Sequence, residues 1–337
     1  MIQIFIVALS LVGAFALTAG VRRFAIKKSV LDIPNERSSH SVPTPRGGGV
    51  AIVFAFLASM LALYGLGEVT FTVMLALVLA GGVIALLGFF DDLGHIPARW
   101  RLIGHFAASA WIVFSLGGLA PITLWGAAID LGWVGAALAV VFLVWMLNLY
   151  NFMDGIDGLA SSEAVFVGLA GGLIHFLAGQ FGLGVLCLSL AAAAGGFLCW
   201  NFPPAKIFMG DAGSGFLGII MGGLALVSGW VAAEFFWSWI ILLGVFVVDA
   251  TVTLLRRMIR GEKVYEAHRS HAYQFASRQY ASHLKVTLVA WGLNIFWLLP
   301  IALIVASGNL NGMLGVCLAY VPLIVLALKF RAGDRER

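Results

Sequence analysis

The stretch from Thr70 to Asp92, TFTVMLALVLAGGVIALLGFFDD, decides the fold class. It holds no charged side chain before Asp91, and a pair of adjacent aspartates closes it. A helix that crosses the hydrocarbon core of a bilayer needs about 20 predominantly apolar residues. Residues 70–90 therefore predict one membrane-spanning helix with two carboxylates at its end.

The whole chain shares the composition of this stretch. Of its 337 residues, 61% are hydrophobic and 11% are charged, whereas soluble proteins carry about 25% charged residues. This shortage of polar side chains excludes a soluble globular enzyme. No tract shows the alternation of polar and apolar residues that marks the strands of a transmembrane barrel. We therefore expect an all-α polytopic integral membrane protein, with residues 1–337 forming one transmembrane domain.

Apolar runs between polar breaks predict eleven membrane-spanning helices, with ten as the alternative. The runs lie near residues 2–21, 47–66, 70–90, 102–119, 132–150, 160–178, 182–200, 214–231, 235–255, 286–306 and 312–330. The first run has no basic segment before it and no small-residue cleavage site, and Arg22 and Arg23 follow it directly. We therefore expect a retained helix at this end of the chain, and not a signal peptide.

The basic residues predict the orientation of these helices. All 20 Lys and Arg residues lie in, or at the edge of, the loops of one side, namely 22–46, 91–101, 151–159, 201–213, 256–285 and the segment after Phe330. The opposite loops hold only the acidic residues Glu68, Asp130 and Glu234. Since basic loops stay in the cytoplasm, we expect a periplasmic N-terminus and a cytoplasmic C-terminus in a bacterial inner membrane. The net charge of +4 then reflects orientation and contact with the lipid bilayer, and not nucleic-acid binding.

The adjacent aspartates Asp91 and Asp92 are the first candidates for chemistry. Neighbouring carboxylates repel each other, so this pair favours a divalent metal nearby or a shifted pKa suited to a base. The alternative is that helix ends are simply where charged side chains are tolerated.

A second group of polar residues lies in NLYNFMDGIDGL, residues 148–159. A spacing of three places Asn148, Asn151 and Asp154 along one side of a helix end. The glycines that follow, on either side of Asp157, let the backbone approach a ligand. The alternative is a polar helix terminus with no role beyond stopping the helix.

A third candidate is NFPPAKIFMGDAGSG, residues 201–215, which joins two predicted spans. The small residues after Asp211 predict open amides at a helix N-terminus, where a phosphate binds well, and Asp211 itself suits Mg²⁺. Phe208 is placed to stack on a base. A tight turn without a chemical role is the alternative.

Two further features stand apart from these motifs. The segment RSSHSVPTPRGGG, residues 37–49, offers basic and glycine-rich material for an anion, or is an ordinary loop. Asp249 lies within an apolar run, where a carboxylate is either functional or a buried structural group.

Together the motifs resemble those of the polyprenyl-phosphate N-acetylhexosamine-1-phosphate transferases. The resemblance covers nearly the whole chain. It rests on PRGGG (45–49), GFFDD (88–92), NLYNFMDGIDGL (148–159), NFPPAKIFMGDAGSG (201–215) and HRSHAYQ (268–274).

The resemblance implies transfer of a sugar-1-phosphate from a UDP-N-acetylamino sugar to undecaprenyl phosphate, with release of UMP at the cytoplasmic face. It implies Mg²⁺ as the cofactor, with Mn²⁺ as an alternative and Asp211 as its ligand. The catalytic residues by this resemblance are Asp91, Asp92 and His271. The substrate-binding residues are Arg46, Arg101, Asn148, Asn151, Asp154, Asp157, Asn201, Phe208 and His268, with Phe208 stacking on uracil and Arg101 contacting phosphate. A homodimer is a further expectation.

Departures from the peptidoglycan translocase favour a different branch of this family. This chain has HRSHAYQ in place of three consecutive histidines, and Gly94-His95 with a short loop where that enzyme has a lysine. These features look more like the enzymes that initiate O-antigen or related surface glycans. We therefore expect UDP-N-acetylfucosamine, UDP-N-acetylquinovosamine or UDP-N-acetylglucosamine as the donor, with the 6-deoxy sugars slightly favoured. The alternative within the family is UDP-N-acetylmuramoyl-pentapeptide.

A transporter or flippase is the alternative from another class. Such a protein concentrates polar groups near the bilayer midplane. Here the polar residues gather at one end of the predicted helices, with Asp249 as the exception, so the sequence favours the enzyme.

Overall fold

A computed structural model describes residues 1–34, 42–94, 96–124, 126–262 and 268–335. His95 and residues 37–41 of the basic loop, which the sequence singled out, lie outside the described residues. The helices are α1 Ile2–Lys27, α2 Val50–Gly65, α3 Phe71–Gly94, α4 Ala98–Leu116, α5 Gly132–Met153, α6 Leu159–Leu177, α7 Phe181–Asn201, α8 Asp211–Val231, α9 Ala233–Leu242, α10 Gly244–Ile259, α11 Ala272–Tyr280, α12 His283–Leu293, α13 Leu299–Ala306 and α14 Gly312–Lys329.

The prediction of an all-α membrane protein is confirmed. The described strands form only two small antiparallel pairs: β1 Leu31–Asp32 with β2 Thr44–Pro45, and β3 Ile122–Leu124 with β4 Ala127–Ile129. A π-helical turn, Asn294–Leu298, joins α12 to α13 within one long span.

Each of the eleven predicted spans coincides with a helix or with consecutive helices. In the described parts of the chain, eight helices are long and apolar enough to cross a membrane, and nine if the bent pair α9 and α10 is counted as one. The other two are α2, which has only 16 residues, and α4, whose first turn carries Arg99 and Arg101. The chain is therefore a multi-pass membrane protein.

The span predicted near 235–255 is formed by two helices, α9 and α10. The chain bends by 70° between α9 and α10. Tyr320 packs at this bend: its hydroxyl donates to the carbonyl of Ile240 (2.6 Å), and a Cβ atom at Gly244 would lie 3.0 Å from its ring. Glycine is a common site of such kinks because a neighbouring side chain can pack against the bare backbone. The bend aims α10, and Asp249 on it, at the loop that precedes α11.

Helix α8 forms the centre of the bundle. Nearly all of its residues are buried, and it packs against α3, α5 and α9. Small residues allow close packing of membrane helices: a Cβ atom at Gly218 would lie 2.6 Å from the carbonyl oxygen of Met146 in α5. The first residue of α8, Asp211, is consequently held between the ends of α3 and α5.

Candidate active site

The end of α3 meets the start of α8 at Gly88. A Cβ atom there would lie 2.5 Å from the backbone nitrogen of Ala212. One turn further along α3, the carboxylate of Asp92 accepts hydrogen bonds from the amides of Asp211 (3.1 Å) and Ala212 (3.3 Å). A carboxylate is favoured here, because a helix N-terminus carries partial positive charge. The expectation of open amides after Asp211 is therefore wrong: Asp92 binds the amide of Ala212, and those of Gly213 and Ser214 donate to the carbonyl of Gly210.

Two arginines join the three carboxylates of this cluster. The Nη2 atom of Arg46 lies 2.6 Å from Asp211 Oδ1 and 2.9 Å from Asp92 Oδ1. Arg101 contacts Asp91, and its Nη1 atom lies 3.7 Å from Asp211 Oδ2. The structure thus brings predicted residues of separate motifs into one group, with more carboxylates than guanidinium groups.

Electrostatics keep Arg46 charged within this group. Burial disfavours a charged guanidinium, but the carboxylates of Asp92 and Asp211 outweigh this effect and raise the pKa of Arg46 above its ordinary value. Arg46 is therefore a fixed positive charge facing the start of α8.

Backbone pairing places the PRGGG motif beside this cluster. Gly48 donates to the carbonyl of Phe208 (2.9 Å), and the amide of Phe208 donates to the carbonyl of Pro45 (2.8 Å). A Cβ atom at Gly49 would lie 2.4 Å from the Cα atom of Gly213 in α8. Glycine is required at residue 49 because the two backbones touch here. The contact fixes the positions of Arg46 and of Phe208, the residue predicted to stack on uracil.

The end of α5 forms the next side of the site. The side-chain amide of Asn151 donates to the hydroxyl of Ser214 (3.0 Å), in the first turn of α8. Burial removes water from the carboxyl of Asp154 and raises its pKa well above its usual range. The charge of Arg46 lowers this pKa in part, and the neighbouring carboxylates raise it further. Asn148 instead donates to a carbonyl of its own helix (2.7 Å).

Asp157 and Asn201 are engaged in holding the backbone around the site. The side-chain oxygen of Asn201 accepts from the amide of Gly158 (3.0 Å), and its NH₂ group donates to the carbonyl of Ile207 (3.0 Å). Asp157 accepts from the amide of Ala205 (3.0 Å). These contacts anchor the loop between α7 and α8, and the predicted contact of both residues with substrate stays a prediction.

The buried carboxylate of Asp249 organises the histidine loop. It lies 3.3 Å from Nδ1 of His271 and accepts from the amides of Ala272 (2.9 Å) and Tyr273 (3.0 Å). Asp249 is therefore fully engaged at the start of α11, which explains an acidic residue in an apolar helix. The Nε2 atom of His271 is buried and has no hydrogen-bond partner in the part of the chain that the structure describes.

The second histidine of the loop lies directly against the first. The rings of His268 and His271 stack with centroids 4.9 Å apart, and both pack near Phe152, at 6.2 and 6.1 Å. Burial, aided by the charges of His271 and Arg257, lowers the pKa of His268 to about 3. Its Nδ1 atom lies 3.0 Å from the hydroxyl of Ser270. A neutral ring whose Nδ1 accepts from this hydroxyl carries its proton on Nε2 and offers a donor there.

The histidines and the acidic cluster therefore flank one short segment. Phe152, which contacts both histidines, lies between Asn151 and Asp154 at the end of α5. The hydroxyl of Tyr273 donates to the carbonyl of Phe152 (2.8 Å) and fixes the loop to this segment.

One residue beside the cluster, His105, is not among the predicted site residues. His105 lies one turn beyond Arg101 on α4, and its buried Nδ1 atom has no partner among the described residues. The spacing of four in RLIGH was a signal that both side chains share a helix face.

The donor chemistry of the cluster suits Mg²⁺ shared with a substrate. No group of three or more His, Cys, Asp or Glu side chains in the described ranges is arranged to hold a metal ion by itself. Mg²⁺, however, is usually bound by one or two carboxylates together with substrate phosphates and water. Asp211 and its neighbour Asp91 provide such oxygen ligands, so the residues present fit this ion.

A large apolar cavity opens beside the histidine loop. It has a volume of about 660 Å³ and lies between α10, α11, α12 and α14. Its walls include Met153 and Tyr273, next to the candidate site, and Lys285 and Lys329 are its basic residues. The cavity is therefore an apolar space at the same end of the bundle as the candidate site.

Comparison with known proteins shows the family. Residues 74–229 match the family model described as Glycosyl transferase family 4. A probable undecaprenyl-phosphate N-acetylglucosaminyl 1-phosphate transferase of Bacillus subtilis is 33% identical, over 84% of this chain and 79% of that protein. A decaprenyl-phosphate N-acetylglucosaminephosphotransferase of Mycolicibacterium smegmatis is 29% identical, over 94% and 86% of the two chains. A phospho-N-acetylmuramoyl-pentapeptide-transferase of Listeria monocytogenes is 31% identical, over 75% and 81%.

The matched regions span most of the length of each relative, and the residues that match the family model include Asp91, Asp92 and Asp211. The chain belongs to the polyprenyl-phosphate N-acetylhexosamine-1-phosphate transferase superfamily.

Proposed function

We propose that this protein transfers an N-acetylamino sugar-1-phosphate from a UDP-sugar to undecaprenyl phosphate and releases UMP. The observation that carries the proposal is the group of Asp91, Asp92 and Asp211, joined by Arg46 and Arg101 where α3 and α8 meet. The names of the relatives, which include two polyprenyl-phosphate N-acetylglucosamine-1-phosphate transferases, support it.

The charges of the cluster suit this reaction. An oxygen of the lipid phosphate attacks the phosphorus next to the sugar, and the bond to the UMP phosphate breaks. The reaction brings several anions together, so positioning and charge neutralisation supply most of the catalysis. Arg46 and Arg101 provide fixed positive charge, and Asp211 would hold Mg²⁺, which supplies further neutralisation of the diphosphate when bound. We favour a single displacement, because the acceptor phosphate is already anionic and needs little activation.

The apolar cavity supports a lipid acceptor. The phosphate of a polyprenyl phosphate stays at the headgroup level, since its tail remains in apolar surroundings. A cavity of 660 Å³ with almost wholly apolar walls, next to Tyr273 and the histidine loop, can accept part of such a tail.

Charge asymmetry supports a site on the cytoplasmic face of a bacterial inner membrane. The cluster lies at the end of the bundle that holds the basic residues Arg46 and Arg101, whereas the charged residues of the opposite loops, Glu68, Asp130 and Glu234, are all acidic. Nucleotide sugars and the positive-inside rule both favour the cytoplasm for this end.

The donor is a compact N-acetylamino sugar in this proposal. The names of the Bacillus and mycobacterial relatives support UDP-N-acetylglucosamine as the donor. UDP-N-acetylfucosamine and UDP-N-acetylquinovosamine stay in the proposal as alternative donors, for an enzyme that initiates O-antigen or another surface glycan. One hydroxyl in an apolar pocket changes binding by only about 1–3 kcal/mol, so competition between donors must decide.

Purified protein with undecaprenyl phosphate, Mg²⁺ and a panel of UDP-sugars tests the proposal through UMP release and the lipid product. We expect turnover of at least one of the three smaller donors. Turnover of UDP-N-acetylmuramoyl-pentapeptide alone would assign the protein to the peptidoglycan branch, for which the Listeria relative is named. Absence of UMP with every donor would refute the transferase.

A further inference from the structure

The segment that follows α14 folds back onto the histidine loop. Ala332 is fully buried, and its carbonyl accepts from Nη1 of Arg256 in α10 (2.6 Å). The amide of Gly333 donates to the carbonyl of Ser270 (2.6 Å). We name residues 331–335 the tail clamp, because they contact both the end of α10 and the loop before α11.

Ion pairs hold the tail clamp in place. Asp334 Oδ1 lies 2.6 Å from Nη2 of Arg256 and 3.6 Å from Nη1 of Arg260. The Nε atom of Arg335 lies 3.1 Å from Oε1 of Glu262, and Nε of Arg260 lies 3.0 Å from the same oxygen. Hydrogen bonds from arginines lower the pKa of Glu262 to about 2, so this acid stays charged and the network persists near neutral pH.

Close packing makes Gly333 specific to this arrangement. Its φ of +76° lies in the left-handed region, which favours glycine. A Cβ atom at Gly333 would also lie 2.9 Å from the carbonyl oxygen of Thr253 and 3.1 Å from Cβ of Arg256. Any side chain at this position would push the tail clamp away from α10.

A short path of contacts leads from the tail clamp to the site. The carbonyl of Ser270 accepts a hydrogen bond from the amide of Gly333, and the hydroxyl of Ser270 lies 3.0 Å from Nδ1 of His268. His268 in turn stacks on His271. Arg331 holds the other side of the loop, with its guanidinium 5.3 Å from the ring of Phe275 in α11.

We propose that the tail clamp is a positioning element of the active site, which fixes Ser270 and thereby the orientation of the His268 ring. The clamp does not touch substrate in this proposal; it acts through His268. The inference rests on the proposed function for its kinetic consequence, but the arrangement of the loop can be measured without activity.

Gly333→Ala tests the clamp, with Gly308→Ala as its matched control. Gly308 follows α13 with a nearly equal φ of +75° and has no atom within 4 Å of its Cβ position. Its substitution by alanine therefore causes the same backbone strain but no steric clash. We expect Gly333→Ala to lower kcat about tenfold, the scale seen when an outer residue that orients a site is lost. An equal effect of the two substitutions on kcat would overturn the inference.

A double variant tests whether the effect passes through His268. If it does, adding Gly333→Ala to His268→Gln causes little further loss, because the orientation of the histidine no longer matters. Losses that multiply would show an independent, merely structural role. Should Gly333→Ala fail to insert, Asp334→Asn breaks the ion pairs without backbone strain, and a smaller loss with the same dependence on His268 is expected.

Chemical modification separates this inference from the proposed function. Diethyl pyrocarbonate should modify His268 faster in Gly333→Ala than in wild-type protein or Gly308→Ala, as measured by mass spectrometry of the intact variants in detergent. An unchanged rate would contradict the positioning role. A faster rate, together with no UMP release by wild-type protein, would refute the transferase and support the positioning role.

Discussion

At the residue scale, two aspartates of the cluster have different tasks. Asp92 caps α8 through the amides of Asp211 and Ala212, whereas Asp211 makes its contacts with side chains, chiefly the guanidinium of Arg46. The fold therefore depends on the charge of Asp92 and much less on that of Asp211. This difference separates a structural carboxylate from one that is available to a metal.

Asp211→Asn should abolish most activity and leave the fold intact. Loss of the charge removes a metal ligand, and we expect turnover to fall on the order of 100-fold or more. UMP release over a series of Mg²⁺ concentrations measures the change, and thermal unfolding in detergent serves as the control. Asp92→Asn should lose activity and stability together, because it also weakens the cap of α8. Near-normal turnover of Asp211→Asn at limiting Mg²⁺ would remove Asp211 from the metal site.

Asp249→Asn should destabilise the histidine loop. The carboxylate accepts hydrogen bonds on both oxygens, from Ala272 on one and Tyr273 on the other. An asparagine would turn an NH₂ group towards one of these amides, and an unpaired buried donor costs about 1–3 kcal/mol. Thermal unfolding and UMP release should both decrease.

Thr253→Val is the matched control for this prediction. Thr253 is one of the donors to Asp249 (3.2 Å), and its removal leaves the two backbone contacts in place. A loss in Thr253→Val as large as in Asp249→Asn would show that the carboxylate does not organise the start of α11.

At the element scale, the contact between α3 and α8 decides the geometry of the cluster. Gly88 allows the helices to touch, and Asp92 lies one turn further on the same face of α3. The bend between α9 and α10 acts in the same way for the histidine loop, because it aims Asp249 at the start of α11.

Gly88→Ala should separate α3 from α8. The new Cβ atom would meet backbone atoms of Asp211 and Ala212 at 2.5 Å, and overpacking of this kind costs about 1–3 kcal/mol. We expect a lower unfolding temperature and a loss of UMP release. Gly82→Ala, on the same helix, has no atom within 4 Å of its Cβ position and should be neutral or slightly stabilising. Full activity in Gly88→Ala would contradict the proposed role of this contact.

At the scale of the whole molecule, the charge distribution predicts the orientation. Cysteines introduced at Lys28 and Gln279, in a chain without its native cysteines, should be protected from an impermeant thiol reagent in intact cells. A cysteine in place of Asp130 should react. Permeabilised cells provide the control, in which all three positions should be labelled. Reaction of the Gln279 variant from outside would place the candidate site on the wrong face of the membrane.

Most of the fold could be predicted from the sequence, because hydropathy is a property of consecutive residues. The apolar runs located the helices, but not the bend in 235–255, where Tyr320 of another helix packs against Gly244 and donates to the carbonyl of Ile240. The motifs likewise identified the chemically active segments, but their spacing contained no information on which side chains face each other.

The sequence by itself determined that this is a helical membrane protein, which segments form its long apolar helices, and which family it resembles. Only the tertiary structure decided that Asp92 caps α8, that Arg46 faces Asp211, and that Asp249 binds the histidine loop. These pairs are formed by residues far apart in the chain, and they exist because glycine contacts and a bent helix bring distant backbones together. Composition and local spacing report on neighbours along the chain, whereas the partners of a buried charge are chosen by the packing of whole helices.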